Sequence, residues 1–237
     1  ISTVAGGLGT AGPDNLVGTS SQDTIDGLAG ADTIIGLGDD DLIYGRDGND
    51  QLDGNEGNDL LIGDVGLDTL SGGLGDDSLV GGDTNDLLLG GAGHDSLDGG
   101  NDGDTLYGGT GDDTLDGGAG DDRLYGNQGT DSLIGGAGDD TLVSTLGDDV
   151  LIGGAGADVF VIDASNASGS YGNVVIDDFD STQDTLVFVP TLDVANTSSI
   201  IVDVDAFNTY TNLYVDIDGD GTDDVTIQLN NIAPVGD

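Results

Sequence analysis

A chain of 237 residues with 2 Lys plus Arg against 47 Asp plus Glu carries a formal charge of −45, so no basic patch can be assembled and nucleic acid is excluded as a natural partner. Cysteine is absent, which removes a disulfide framework, Cys-ligated zinc and a thiol nucleophile, and no apolar run is long enough to span a bilayer. Every acid except Glu56 is Asp, and glycine reaches 46 residues against 3 Pro. A bias toward the shortest carboxylate points to tight metal-binding turns rather than to a solvating surface or a disordered acidic tail.

The opening residues show no N-terminal signal peptide, and a start at Ile1 rather than Met is expected of a piece of a longer protein. From Gly9 to Val161 the chain runs without a gap through seventeen nine-residue repeats. Position 6 is Asp in all seventeen: Asp14, Asp23, Asp32, Asp41, Asp50, Asp59, Asp68, Asp77, Asp86, Asp95, Asp104, Asp113, Asp122, Asp131, Asp140, Asp149 and Asp158. Position 8 is always large and apolar, from Leu16 and Ile25 to Leu151 and Phe160. Position 1 is Gly in every repeat but the one that opens on Ser144. Position 4 is Gly except at Ser21, Asp39, Thr84 and Asp102.

The residue types follow from geometry. Positions 1–6 must turn sharply and aim several carbonyls at one point, which glycine permits. A Ca²⁺ ion takes six to eight oxygen ligands, and one carboxylate plus carbonyls of neighbouring turns can supply them. Positions 7–9 are expected to form a short strand with its middle residue inward. Two repeats then make one 18-residue coil, and coils stacked at ~4.8 Å give a roll roughly 40 Å long. The Asp residues fall into two columns, nine in the odd repeats and eight in the even ones. One ion per gap would make about 15 Ca²⁺, bringing roughly +30 against the negative charge. The core is a thin ladder of position-8 side chains, so the roll is expected to be unfolded without Ca²⁺ and to fold on binding it.

Copies such as GGAGHDSLD (90–98), GGTGDDTLD (108–116), GGAGDDRLY (117–125) and GGAGDDTLV (135–143) follow the pattern Gly-Gly-x-Gly-x-Asp-x-apolar-x. The chain thereby resembles the hemolysin-type RTX calcium-binding family over about two thirds of its length. The resemblance implies an all-β fold, a right-handed parallel β-roll (a calcium-binding solenoid) with a C-terminal β-rich capping segment. It also implies a secreted bacterial protein, extracellular or at the cell surface, exported by type I secretion on an uncleaved C-terminal signal. The expected organisation is the roll with a short lead-in over 1–161, then a cap over 162–237 that contains or precedes that signal.

Beyond Val161 the repeat ends. Residues 174–189 read as two strands around an acidic turn, and 199–206, 211–217 and 224–229 as three more. SYGNVVIDDFDSTQDTLVF (170–188) resembles the element that closes the roll in RTX proteins, with Phe160 expected to plug the core. Asp216, Asp218, Asp220 and Asp224 have the spacing of positions 1, 3, 5 and 9 of an EF-hand loop, but position 12 is Ile227, so a Ca²⁺ loop stands against an acidic hairpin turn. Asp178, Asp180 and Asp184 are a further candidate for an ion.

His94, the single histidine, falls at a turn position that faces solvent. No HExxH, Ser-His-Asp set or phosphate loop is present, and an enzyme is not expected. On one outer face Ser71, Leu89, Tyr107, Tyr125, Val143 and Val161 line up as cross-strand ladders or as a contact stripe. Thr33, Thr69, Thr105 and Thr141 recur on alternate coils, yet Gln51, Leu87 and Arg123 interrupt any regular array of the ice-binding kind. Two function classes follow. One is a structural or adhesive calcium module of a surface layer or matrix, its partners calcium, cell-surface or matrix components, or another domain of the same protein. The other is the C-terminal export-and-folding domain of a secreted RTX enzyme such as a protease, lipase or epimerase.

Overall fold

The computed structural model describes residues 2–3, 7–163, 172–189, 200–203, 210–215 and 225–230. Every described element is a strand, and the strands alternate between two sheets, so each sheet collects every second repeat. Through the repeats, partners within a sheet are parallel and 18 residues apart, as in Leu88↔Leu106 and Leu97↔Leu115. One coil is therefore two repeats, and the fold is a parallel β-solenoid.

The strands are longer than the three residues expected. Gln51–Glu56, Leu60–Val65, Thr69–Leu74 and most of the others have six residues, covering positions 7–9 and then 1–3. The pairing skips position 1: Leu89↔Tyr107 is followed by Gly91↔Gly109. Two short arms thus meet at a corner, and the residue after it, position 2, adopts positive φ. Gly91 has φ 118° and Gly109 122° there, while Arg46 and Asn55 hold 80° and 75°. Position 4 is left-handed too, and Thr84 occupies it at φ 77°, a conformation unfavourable for a β-branched residue.

The interior is the expected ladder. From Leu16 to Phe160 every position-8 side chain is buried, each stacked on its equivalent one coil away. Phe160 does not plug the end. It is fully buried against Phe179, ring centroids 5.9 Å apart, and the core continues through Ile162, Val174, Ile176, Ile227 and Leu229. Past Phe160 the chain keeps feeding both sheets. Thr185–Val189 adds in parallel to Val159–Asp163, and Asn173–Ile176 adds in parallel to Val150–Ala155. Val225–Asn230 adds next in parallel, and then Tyr210–Val215 and Ile200–Asp203 pair antiparallel. A change to antiparallel pairing at the margin ends the repeating parallel edge.

On the outer faces Tyr107 and Tyr125 stack at 4.6 Å, 10° from parallel. Thr69, Leu87, Thr105, Arg123 and Thr141 are consecutive neighbours, so the threonines are interleaved as the sequence order implied. Arg46 lies over the Tyr44 ring at 4.2 Å and bridges Asp26 and Asp64 on the coils either side, both at 3.2 Å.

Candidate metal centre

The turn at positions 4–6 links one sheet to the other, and its Asp points inward. From Asp23 to Asp158 every position-6 Asp is buried, at most 4% exposed; Asp14, in the first turn, is partly exposed. The backbone holds each side chain the same way. The Asp N–H of one coil donates to Oδ1 of the Asp 18 residues later, at 2.6–3.0 Å, in fifteen successive bonds. These bonds tie the carboxylates into two columns, one along each edge of the roll. That bond count equals the number of gaps between turns expected from the repeats.

The other oxygen is different. In thirteen residues, Asp32 through Asp140 at every ninth position, Oδ2 is buried with no hydrogen-bond partner. An unpartnered charged oxygen out of water costs several kcal/mol, so thirteen of them in register require a cation or protons. Each faces the position-1 glycine of its own repeat. A Cβ built on Gly99 would stand 2.5 Å from Asp104 Oδ2 and 2.7 Å from the Gly117 carbonyl oxygen; Gly27, Gly81, Gly90 and Gly117 show the same pair of oxygens. The absent side chain leaves a notch lined by a carboxylate and a main-chain carbonyl of the next coil. Among the described residues no three His, Cys, Asp or Glu side chains converge, so any ion would rely on carbonyls beside its Asp. All-oxygen donors with irregular geometry suit Ca²⁺ rather than Zn²⁺, and the residues present fit it.

The electrostatics agree. Burial pushes the carboxyls of Asp68, Asp77, Asp86, Asp104, Asp131 and Asp140 up to about 7 and those of Asp41 and Asp113 up to about 6. The Asp N–H bonds oppose this and like charges along the column reinforce it. A carboxylate whose ionised form is disfavoured where it sits is stabilised by a proton or by a bound cation.

Four position-6 residues fall outside the orphaned set. Thr10 N–H donates to Asp14 Oδ2 at 2.5 Å. The Thr19 N–H and hydroxyl donate to Asp23 Oδ2 at 2.6 and 2.9 Å. The Ser144 hydroxyl donates to Asp149 Oδ2 at 2.5 Å. At Asp158 the notch of Gly153 faces the Phe160 ring instead of a carbonyl. Beyond Asp158 the column has a substitute: the Asp158 N–H donates to Asp184 Oδ1 at 3.1 Å, and Asp178 takes the N–H groups of Gly153 and Gly154 at 2.9 and 2.7 Å. Of the further candidate trio, Asp184 therefore extends the column and Asp178 clamps the last repeat. Asp180 instead accepts from Thr182 and Gln183. The 26-residue offset of Asp184 from Asp158 hides it from any nine-residue frame. Asp216, Asp218, Asp220 and Asp224 lie outside the described residues. Ile227, at position 12 of that spacing, is buried in a strand.

Sequence reasoning also missed a second ladder. At position 5 of the even repeats, Asp40, Asn58, Asp76, His94 and Asp112 each accept the N–H of the next coil's position 5, at 2.8–2.9 Å. His94 is thus an exposed link that accepts through Nδ1. The signal was an Asp/Asn preference every 18 residues.

The profile of the RTX calcium-binding nonapeptide repeat matches residues 8–43, 27–61, 35–70, 62–97, 98–133 and 134–166, a continuous span of more than half the chain. The chain belongs to the RTX calcium-binding repeat family. Among solved structures this RTX chain is similar to the solution structure of the AlgE6R3 subunit of the Azotobacter vinelandii mannuronan C5-epimerase. The two are 29% identical over 56% of this chain and 78% of that one, with a TM-score of 0.22. No curated protein matches the chain.

Proposed function

We propose that this RTX chain is an extracellular calcium-dependent structural and binding module rather than a catalyst. The observation that carries the reading is the set of thirteen buried Asp oxygens, aligned in two columns and lacking any protein partner. Each position-6 Asp would contribute Oδ2, and neighbouring main-chain carbonyls, such as that of the next coil's position-1 glycine, would complete the ligand set. Calcium supplies the positive charge that lets −45 charges be packed into one roll.

The mechanism is linkage between binding and folding. The ladder core is one residue wide on each sheet, and ion-free columns place like charges in low dielectric, so little holds the roll together without the ion. Where free calcium is scarce, as in a cytosol, the chain stays unfolded and fit for export; outside, calcium drives folding. In this reading residues 1–161 form the scaffold and 162–237 close it, containing or preceding a type I secretion signal. Cell-surface or matrix components, or another domain of the same protein, engage the outer faces. Small-angle scattering of the full chain tests the coupling. A radius of gyration near the unfolded value, roughly 50 Å for this length, is expected in chelator. It should fall to roughly half that in millimolar calcium. A compact particle in chelator would refute the proposal.

A further inference from the structure

Sixteen repeats open on glycine and one opens on Ser144. The Ser144 side chain is fully buried, and it grows from the backbone position whose bare Cα elsewhere faces an oxygen-lined notch. Its hydroxyl donates to Asp149 Oδ2 at 2.5 Å. That is the oxygen left orphaned in the thirteen residues from Asp32 to Asp140. The turn is rebuilt around it. Thr141–Ser144 is a four-residue strand where the strands before and after it in the chain, Ser132–Ala137 and Val150–Ala155, have six; the Thr145 hydroxyl donates to the Asn127 carbonyl, and towards Arg123–Gln128 only the isolated bridge Gln128↔Leu146 continues the pairing.

We propose that Ser144 takes the place of a calcium ion at Asp149, so that the even column ends on a turn closed by the protein's own hydroxyl. The inference rests on the calcium reading of the other turns. A serine reaches one oxygen of its carboxylate with a neutral donor. It therefore satisfies the hydrogen-bonding need of Asp149 at any calcium level, and its side chain fills the space an ion needs. The consequence is a coil next to the Phe160–Phe179 contact whose closure does not wait for calcium. It would be a fixed end from which ion-dependent coils can propagate, as expected of a solenoid in which each coil contacts only its neighbours.

Native mass spectrometry of the calcium-loaded full chain, which resolves single ions, tests this. Ser144→Gly restores the repeat pattern and should bind one ion more than wild type. Asp149→Asn alone should leave the count unchanged, and Asp149→Asn in the Ser144→Gly background should remove the added ion. An unchanged count in Ser144→Gly, or a lower count in Asp149→Asn alone, overturns the inference while leaving the calcium reading intact. A wild-type count of zero would instead end the calcium reading itself.

Discussion

Asp113 lies within the even column and serves both functions of a position-6 residue. It is 2% exposed, its Oδ1 accepts the Asp95 N–H at 2.9 Å, and its Oδ2 has no partner. Two substitutions separate the two oxygens' contributions. Asp113→Asn keeps an acceptor for Asp95 but removes the charge that binds the ion. Asp113→Ala removes both and leaves a buried N–H unpaired, a further cost of about 2 kcal/mol. That difference between the variants should not depend on calcium. The shared loss should: each ion absent from the folded state lowers stability by about 1.4 kcal/mol for every tenfold rise in free calcium above the dissociation constant. Urea denaturation at 1, 10 and 100 mM calcium reads both quantities. The wild-type stability should climb more steeply than either variant's, by at least one ion's worth. Parallel calcium dependences in all three proteins would mean that Asp113 Oδ2 is not a ligand.

Thr84→Gly should stabilise the calcium-loaded roll by about 1–2 kcal/mol, because it relieves a β-branched residue at φ 77°; a destabilised variant in urea titration would contradict the strain. Leu106→Ala, which empties a fully buried rung of the ladder, should cost about 2–5 kcal/mol by the same assay, and a loss below 1 kcal/mol would show that the ladder is not the core. Protons should partly replace calcium. The column carboxyls of Asp68, Asp104 and Asp140 are raised by burial from 3.8 to about 7 in the folded roll. Protonation thus favours folding, an effect fully present below about pH 4 and lost as pH rises through 7. In chelator, β signal in circular dichroism should therefore grow on acidification from pH 8 to 5. In calcium, affinity should fall over the same range. Flat profiles would show that the columns do not titrate as buried groups.

Most of the fold could be read in the sequence because one nine-residue pattern dictates it. The inward alternation of Leu52, Leu61 and Leu70 gave the two-sheet ladder, and the 18-residue coil followed from two turns per circuit. Strand length could not be read there. Positions 2 and 3 pair again after the corner because residues such as Arg46 and Asn55 accept positive φ, which no propensity scale anticipates. Phe160 looked terminal only because the frame ends there. Strands at other spacings, carrying Ile176, Leu186 and Ile227, prolong the core without the repeat's punctuation. In the site, the seventeen Asp were evident, whereas their division was not. Whether an oxygen is free or met by Thr19 or Ser144 depends on a donor's placement a few residues earlier. Asp184 joins its column only through the folded geometry of a loop.

The most direct test of the account is a calcium titration of the full chain from excess chelator at neutral pH, followed by far-ultraviolet circular dichroism. Calcium binding as the source of folding predicts a disordered spectrum in chelator and cooperative gain of β structure as calcium rises. Full β structure in chelator, unchanged by calcium, would contradict it.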